Sequence, residues 1–123
     1  MLYFLAIMGK QRGLIEFDLH ARGSKVDDAL ANLERIISEA RASGPSLFAV
    51  ITGYGSTGGT SLIKQSVLAA CRKYKEQYHI KGYLDGEYAA DIFSIECLSF
   101  PKITSIPPAY RRFPNPGMIF ICV

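Results

Sequence analysis

The segment that most constrains the fold is an uninterrupted apolar run followed at once by glycines. Residues 47–51 are all apolar, and four glycines fall within the seven positions 53–59. A short continuous apolar run is typical of a strand buried on both faces of a sheet. The glycines predict a loop whose backbone can adopt a positive φ at little cost.

An amphipathic helix is predicted before this strand. Apolar residues recur at steps of three and four over residues 26–40, and Gly44 with Pro45 ends the pattern. Ser24 and Asp27 have the spacing of a capping box, a hydroxyl followed three residues later by a carboxylate. The helix is therefore expected to start at Ser24.

A second amphipathic helix is predicted after the glycine loop. Its apolar stripe extends from Ile63 to Tyr78, and Lys64 lies off the stripe on the expected solvated side. Residues 80–84 follow with the pattern of a third parallel strand. This alternation of strands and helices predicts an α/β fold.

Strands are also predicted at both ends of the chain. Residues 2–8 and 14–19 are β-rich runs separated by a basic turn, and residues 118–123 form a final apolar strand. Residues 86–100 fit either a helix or a strand, and both alternatives stay open. The proline-rich residues 101–117 predict an extended loop that holds Arg111 and Arg112 outside the core. We expect one domain over residues 1–123, with a core at about 14–84, an insertion at about 86–117 and a closing strand at 118–123.

Composition excludes several classes of protein. The 123 residues are 49% apolar and 20% charged, as in an ordinary globular domain. Lys+Arg exceed Asp+Glu by 14 − 11 = 3, a mild excess that permits an anionic partner without requiring one. The apolar opening at residues 1–8 is shorter than a membrane-spanning helix, and no basic segment precedes it, so a cytoplasmic protein is expected.

The cysteines and histidines argue against a structural metal centre. Cys71, Cys97 and Cys122 match neither a C-x-x-C redox pair nor paired zinc knuckles, and we expect reduced thiols in the core. The chain has only two histidines, His20 and His79, so a histidine-rich metal site is excluded.

Asp18 and His20 form the first candidate site. In the alternating run 14–19, Glu16, Asp18 and His20 share one face, and the last two lie at the carboxyl end of the strand, where open α/β sheets bind ligands. A carboxylate beside an imidazole suits the ring to general acid or base chemistry. Asp18 and Glu16 could also hold a divalent metal ion. The alternative is that all three polar groups are only the solvated face of a strand.

The glycine loop is the second candidate site. It follows a buried strand and opens a helix, so its N–H groups and the positive helix end can receive a phosphate. Tyr54 between glycines could stack on a base. The alternative is a turn that needs positive φ and has no ligand. A basic rim around the two sites is also predicted, consisting of Lys10, Arg12, Arg22, Lys25 and Lys64.

The same loop satisfies a dinucleotide fingerprint. Gly53, Gly55 and Gly58 have the spacing G-x-G-x-x-G, and Asp85 could serve as the acidic residue after the next strand. However, a strand and a helix precede this loop, whereas the fingerprint normally lies in the first turn. Dinucleotide binding is therefore a minor alternative.

Two short motifs resemble those of a known family. The sequence Phe17-Asp18-Leu19-His20 resembles the L-D-x-H motif, and Thr52-Gly53-Tyr54-Gly55 resembles the H-G-x-G or T-G-x-G motif, of the Smr (small MutS-related) domain. The likeness runs from about residue 14 to residue 84. It implies a compact two-layer α/β sandwich with a mixed, mainly parallel sheet, like the C-terminal domain of translation initiation factor three, and a nuclease activity on RNA or DNA.

Site residues follow from the resemblance. It implies Asp18 and His20 as the catalytic pair, with Mg²⁺ or Mn²⁺ as a conceivable cofactor. Thr52 stands where many members have a second histidine. The expected function is a nucleic-acid-binding endonuclease, and the alternative is an RNA- or DNA-binding module without catalysis. The residues expected to contact phosphate or nucleic acid are Thr52, Gly53, Tyr54, Gly55, Gly58, Gly59, Lys64 and Arg22.

Overall fold

The sheet is mixed in the computed structural model, which describes residues 13–20, 25–53 and 61–123. Its described strands lie in the order β1-β2-β4-β3. Strand β1 is parallel to β2, whereas β4 is antiparallel to both of its neighbours, β2 and β3. Three strands therefore point the same way, and the last strand of the chain is inserted between two of them. The strands are β1 (Glu16–Asp18), β2 (Leu47–Ile51), β3 (Gly82–Asp85) and β4 (Met118–Cys122).

Two long helices cover one face of the sheet. Helix α1 (Val26–Ser43) and helix α2 (Leu62–Glu76) bury their apolar stripes against Phe17, Val50 and Ile119. The predicted helices are confirmed: residues such as Leu33, Ile37 and Val67, which recur at steps of three and four, are buried on the sheet side. At the start of α1, Asp28 rather than Asp27 caps the chain, accepting a hydrogen bond from the backbone N–H of Lys25 at 3.2 Å.

The opposite face of the sheet is covered by the segment that follows β3. It contains 3-10 turns at Gly86–Tyr88 and Ile103–Ser105, helix α3 (Ile95–Ser99) and helix α4 (Pro108–Arg112). These elements form a second apolar core with the sheet. Its buried members include Ala49, Leu84, Cys97, Phe100, Ile106, Tyr110 and Phe120.

This second cover corrects the prediction of an extended loop over residues 101–117. Pro108 occupies the first turn of α4, where a missing N–H costs nothing, so proline starts a helix here instead of breaking one. The Arg111 guanidinium is turned inward and donates a hydrogen bond to the carbonyl of Ile103. For residues 86–100 the helical alternative is the correct one over 95–99.

Most of the predicted fold is confirmed. The compact α/β fold, its mixed sheet, the strand over 47–51 and the closing strand agree with the structure. All three cysteines are buried and unpaired. Within the described ranges, no helix is long and apolar enough to cross a bilayer. The strand predicted over 2–8 and the cap at Ser24 fall outside the described residues, and the likeness to initiation factor three stays a prediction.

Candidate functional site at the carboxyl edge of the sheet

The two motifs meet because β1 and β2 are adjacent and parallel. Asp18 pairs with Ile51 in the strand register, and the N–H of Leu19 donates to the carbonyl of Ile51 at 2.9 Å. Parallel strands end at the same edge of a sheet, so the residues that follow each strand become neighbours. This arrangement places His20 beside Gly53.

The imidazole of His20 lies directly on the backbone of Gly53. A Cβ atom added to Gly53 would approach the ring to 2.8 Å at Cδ2, 2.9 Å at Cγ and 3.1 Å at Nε2. Gly53 also has a φ of +70°, which residues with a side chain rarely adopt. Glycine at this position therefore meets two requirements, the backbone conformation and the space for an exposed imidazole.

Asp18 shapes the chain that carries His20. Its Oδ1 accepts a hydrogen bond from the backbone N–H of His20 at 2.7 Å. Such a bond two residues on is an Asx turn, which bends the chain at the end of β1. The carboxylate therefore positions His20 through the main chain, whereas the sequence suggested a contact with the ring.

Thr52 and Gly53 are held from two sides. Both of their N–H groups donate to the carbonyl of Gly117, at 2.7 and 3.2 Å. The hydroxyl of Ser61 lies 3.1 and 3.2 Å from the carbonyl oxygens of Thr52 and Gly53, and it accepts the N–H of Lys64 at 2.9 Å. Ser61 thus joins the first turn of α2 to the end of β2.

Thr52 lies inside the protein. The residue is 0% exposed, and its contact with phosphate stays a prediction. Sequence reasoning also missed Ser61 and Gly117. A hydroxyl directly before the helical stripe was an available signal for Ser61, whereas Gly117 reaches the site only through the pairing of distant strands.

Lys64 is an internal ion-pair partner. Its ammonium lies 3.0 Å from Oδ2 of Asp85 and 3.9 Å from Oε1 of Glu87, and its side chain is only 6% exposed. A buried ammonium needs a charged partner, and β3 supplies one at its last residue. The predicted solvated position of Lys64 is therefore wrong, and its contact with phosphate stays a prediction.

Glu16 is likewise buried, in contrast to the expected solvated face. It is 4% exposed, and its Oε2 accepts a hydrogen bond from the hydroxyl of Tyr110 in α4. The elements on the second face of the sheet thus bury Glu16, so its carboxylate is not available at the edge where Asp18 lies. In the part of the chain that the structure describes, no group of three potential ligands could hold a metal ion.

The comparison with family models concerns this same region. The Smr domain model matches residues 17–91, which is more than half of the chain. The chain belongs to the Smr domain family. No curated protein and no solved structure matches the chain at a significant level.

The Smr match covers the first part of the fold and leaves out the last strand and the two short helices. It covers β1, β2, β3 and both long helices, and it contains His20 and Gly53. Strand β4 and helices α3 and α4 lie after the match. The Smr motifs are therefore supported by residues outside the matched range, such as Gly117, whose carbonyl accepts from Thr52 and Gly53. Other predicted contacts lie outside the described residues, namely Arg22, Tyr54, Gly55, Gly58, Gly59, Lys10 and Arg12.

Proposed function

We propose that this Smr domain binds nucleic acid at the carboxyl edge of β1 and β2 and cleaves a phosphodiester bond there. The observation that carries the proposal is the contact between the exposed imidazole of His20 and Gly53. It joins two motifs of a family associated with nucleic-acid binding and endonuclease activity.

In this proposal His20 transfers the proton. An imidazole can remove a proton from the attacking oxygen or give one to the leaving oxygen. Asp18 keeps the chain bent so that the ring stays on Gly53. The first turn of α2 begins at the same edge through Ser61, and the positive end of its dipole favours a phosphate nearby.

A metal ion is compatible with one residue of the edge. Glu16 is engaged by Tyr110, which leaves Asp18 as the described carboxylate at the end of β1. Mg²⁺ is often held by one or two carboxylates together with substrate phosphates, so Asp18 could contribute to such a site. The ion would stabilise the charge that develops on phosphorus oxygens.

Binding without cleavage is the second candidate function. It is favoured by Thr52, which replaces the second imidazole of the H-G-x-G form and is fully buried. Dinucleotide binding is less favoured, because Asp85 is engaged by Lys64 and by the N–H of Glu87 and is not directed at a ribose. A cytoplasmic location stays a prediction.

The test uses the two histidines of the chain. His20→Ala and His79→Ala are compared with the unaltered protein on end-labelled single-stranded RNA and on supercoiled DNA, with Mg²⁺, Mn²⁺ or EDTA. His79 is the matched control, because it follows α2 and stacks on Tyr74 away from β1. We expect His20→Ala to lose roughly 10²-fold or more in cleavage rate and His79→Ala to retain it.

Two results would decide between the candidates. Equal cleavage by the unaltered protein and His20→Ala would refute catalysis by this residue. Binding of either nucleic acid without any cleavage would establish the second candidate function instead.

A further inference from the structure

A second concave surface lies beside the candidate site. It is a cavity of about 540 Å³ between α2, β3 and α3, within the size range of small-ligand pockets. Helix α2 contributes one stripe of side chains to it, including Gln65, Leu68 and Arg72. Tyr83 and Leu84 come from β3, and the segment after β3 closes the far side.

The cavity is connected to the His20 edge through a short series of contacts. Asp85 lines the cavity and forms the 3.0 Å ion pair with Lys64. The N–H of Lys64 bonds to Ser61, whose hydroxyl contacts the carbonyl of Gly53 beneath His20. The cavity thus begins about one turn of α2 away from the proposed cleavage site.

The lining has the chemistry to hold a nucleotide. Tyr83 and Tyr88 offer aromatic rings on which a base can stack. Arg72 and Lys75 stand on α2, and neither forms an ion pair with a described residue, so both are available to a phosphate. These features favour a nucleic-acid strand over an uncharged ligand.

The opposite end of the cavity is acidic. Glu96 lines the cavity and has no hydrogen-bond or ion-pair partner among the described residues. The carboxylates of Glu87 and Glu96 also raise the pKa of Tyr88 above its ordinary value. A carboxylate accepts hydrogen bonds from an exocyclic amino group, which cytosine has and uracil lacks.

We propose that this cavity receives one unpaired nucleotide of the bound strand, next to the phosphate at the His20 edge, and that it prefers a base with an exocyclic amino group. Tyr88 stacks on the base, Glu96 accepts from its amino group, and Arg72 contacts a flanking phosphate. This inference rests on the proposed function, since it concerns the same bound strand.

The first arm of the test measures affinity without cleavage. Binding of a fluorescein-labelled single-stranded RNA of mixed sequence is followed by anisotropy in EDTA. We expect Tyr88→Ala to weaken binding about tenfold, as loss of one stacked base does, and Tyr88→Phe to retain it. Tyr78→Ala is the matched control, because Tyr78 is 89% exposed and lies outside the cavity lining.

The second arm of the test changes Arg72, which is exposed, instead of the partly buried Tyr88. Arg72→Ala should weaken binding and reduce the slope of log affinity against log salt by about one, as loss of one phosphate contact does. Lys73→Ala removes a charge from the next position of α2, which lines a different groove, and should change neither the affinity nor the slope by a comparable amount.

The third arm compares oligocytidine with oligouridine. Tighter binding of oligocytidine by about fivefold, reduced by Glu96→Ala, is the expected result. If the unaltered protein binds no nucleic acid, the proposed function fails as a whole.

If the protein binds RNA but Tyr88→Ala and Arg72→Ala bind as well as their controls, the cavity inference alone is overturned. That result would point instead to a protein partner for the exposed apolar residues beside the cavity. Those residues are Ile92, Phe93, Ile95 and Leu98.

Discussion

At the scale of single residues, the site depends most directly on Gly53. The imidazole of His20 occupies the space that a side chain at this position would need. The sequence predicted a glycine that lets a phosphate approach, whereas the structure shows a glycine that lets a histidine approach. The glycine motif indicates that another group approaches the backbone closely. Only the parallel pairing of β1 with β2 shows that this group is His20.

Gly53→Ala should therefore displace His20 as well as strain the backbone. Gly44 is the matched control, because it also has a positive φ, of +87°, but has nothing within 4 Å of an added Cβ. We expect both substitutions to lower the free energy of unfolding by roughly 1–3 kcal/mol. Only Gly53→Ala should shift the ring resonances of His20 in NMR spectra. Equal effects of both variants on His20 would contradict the contact.

Cys71 provides a residue-scale test of the core. Burial raises its pKa from the usual 9.0 to about 12. In the unfolded chain the thiol loses its proton from about pH 9, so its contribution to stability is constant below that pH and falls as pH rises toward 12. Iodoacetamide should label Cys71 at pH 8 only after denaturation, as read by mass spectrometry. Rapid labelling of Cys71 in the native protein would show that this face of α2 does not pack against the core.

At the scale of elements, Lys64 links α2 to the end of β3. The apolar pattern of α2 predicted a solvated position for Lys64, because such a pattern describes one helix and not the strand that lies beneath it. The ion pair with Asp85 depends on which strand lies beneath that turn, and the sequence does not state this. For the same reason, the sequence did not predict that α3 and α4 cover the second face of the sheet.

Lys64→Met tests this link. Removing the ammonium leaves Asp85 partly buried without its partner, and we expect a loss of about 3 kcal/mol in the free energy of unfolding, measured with urea. Lys73→Met, on the exposed side of the same helix, should change it by less than about 0.5 kcal/mol. If Lys64→Met keeps full stability but loses affinity for RNA, Lys64 is a phosphate contact after all.

At the scale of the whole molecule, strand β4 decides the topology. Local patterns predicted α1, β2 and α2 well, because each element shows its own period in the sequence. They could not predict that residues 118–122 lie between β2 and β3, since strand order depends on contacts between distant segments. The two motifs were predictable as neighbours, but their support by Gly117 was not.

A truncated chain tests the importance of β4. The Smr match ends at Asp91, and a chain that stops there would lack the strand that joins β2 to β3. We expect residues 1–91 to show no cooperative thermal transition by circular dichroism, whereas the full chain unfolds cooperatively. A cooperative transition in the truncated chain would mean that the two halves of the sheet do not need β4.

The central claim is that nucleic acid binds at the His20 edge, and the two histidines allow a direct measurement. Imidazole resonances of the full chain are followed by NMR while single-stranded RNA is added in EDTA. We expect the signals of His20 to shift in a saturable manner and those of His79, which follows α2 and stacks on Tyr74, to stay in place. A saturable shift of His79 with no change at His20 would contradict it.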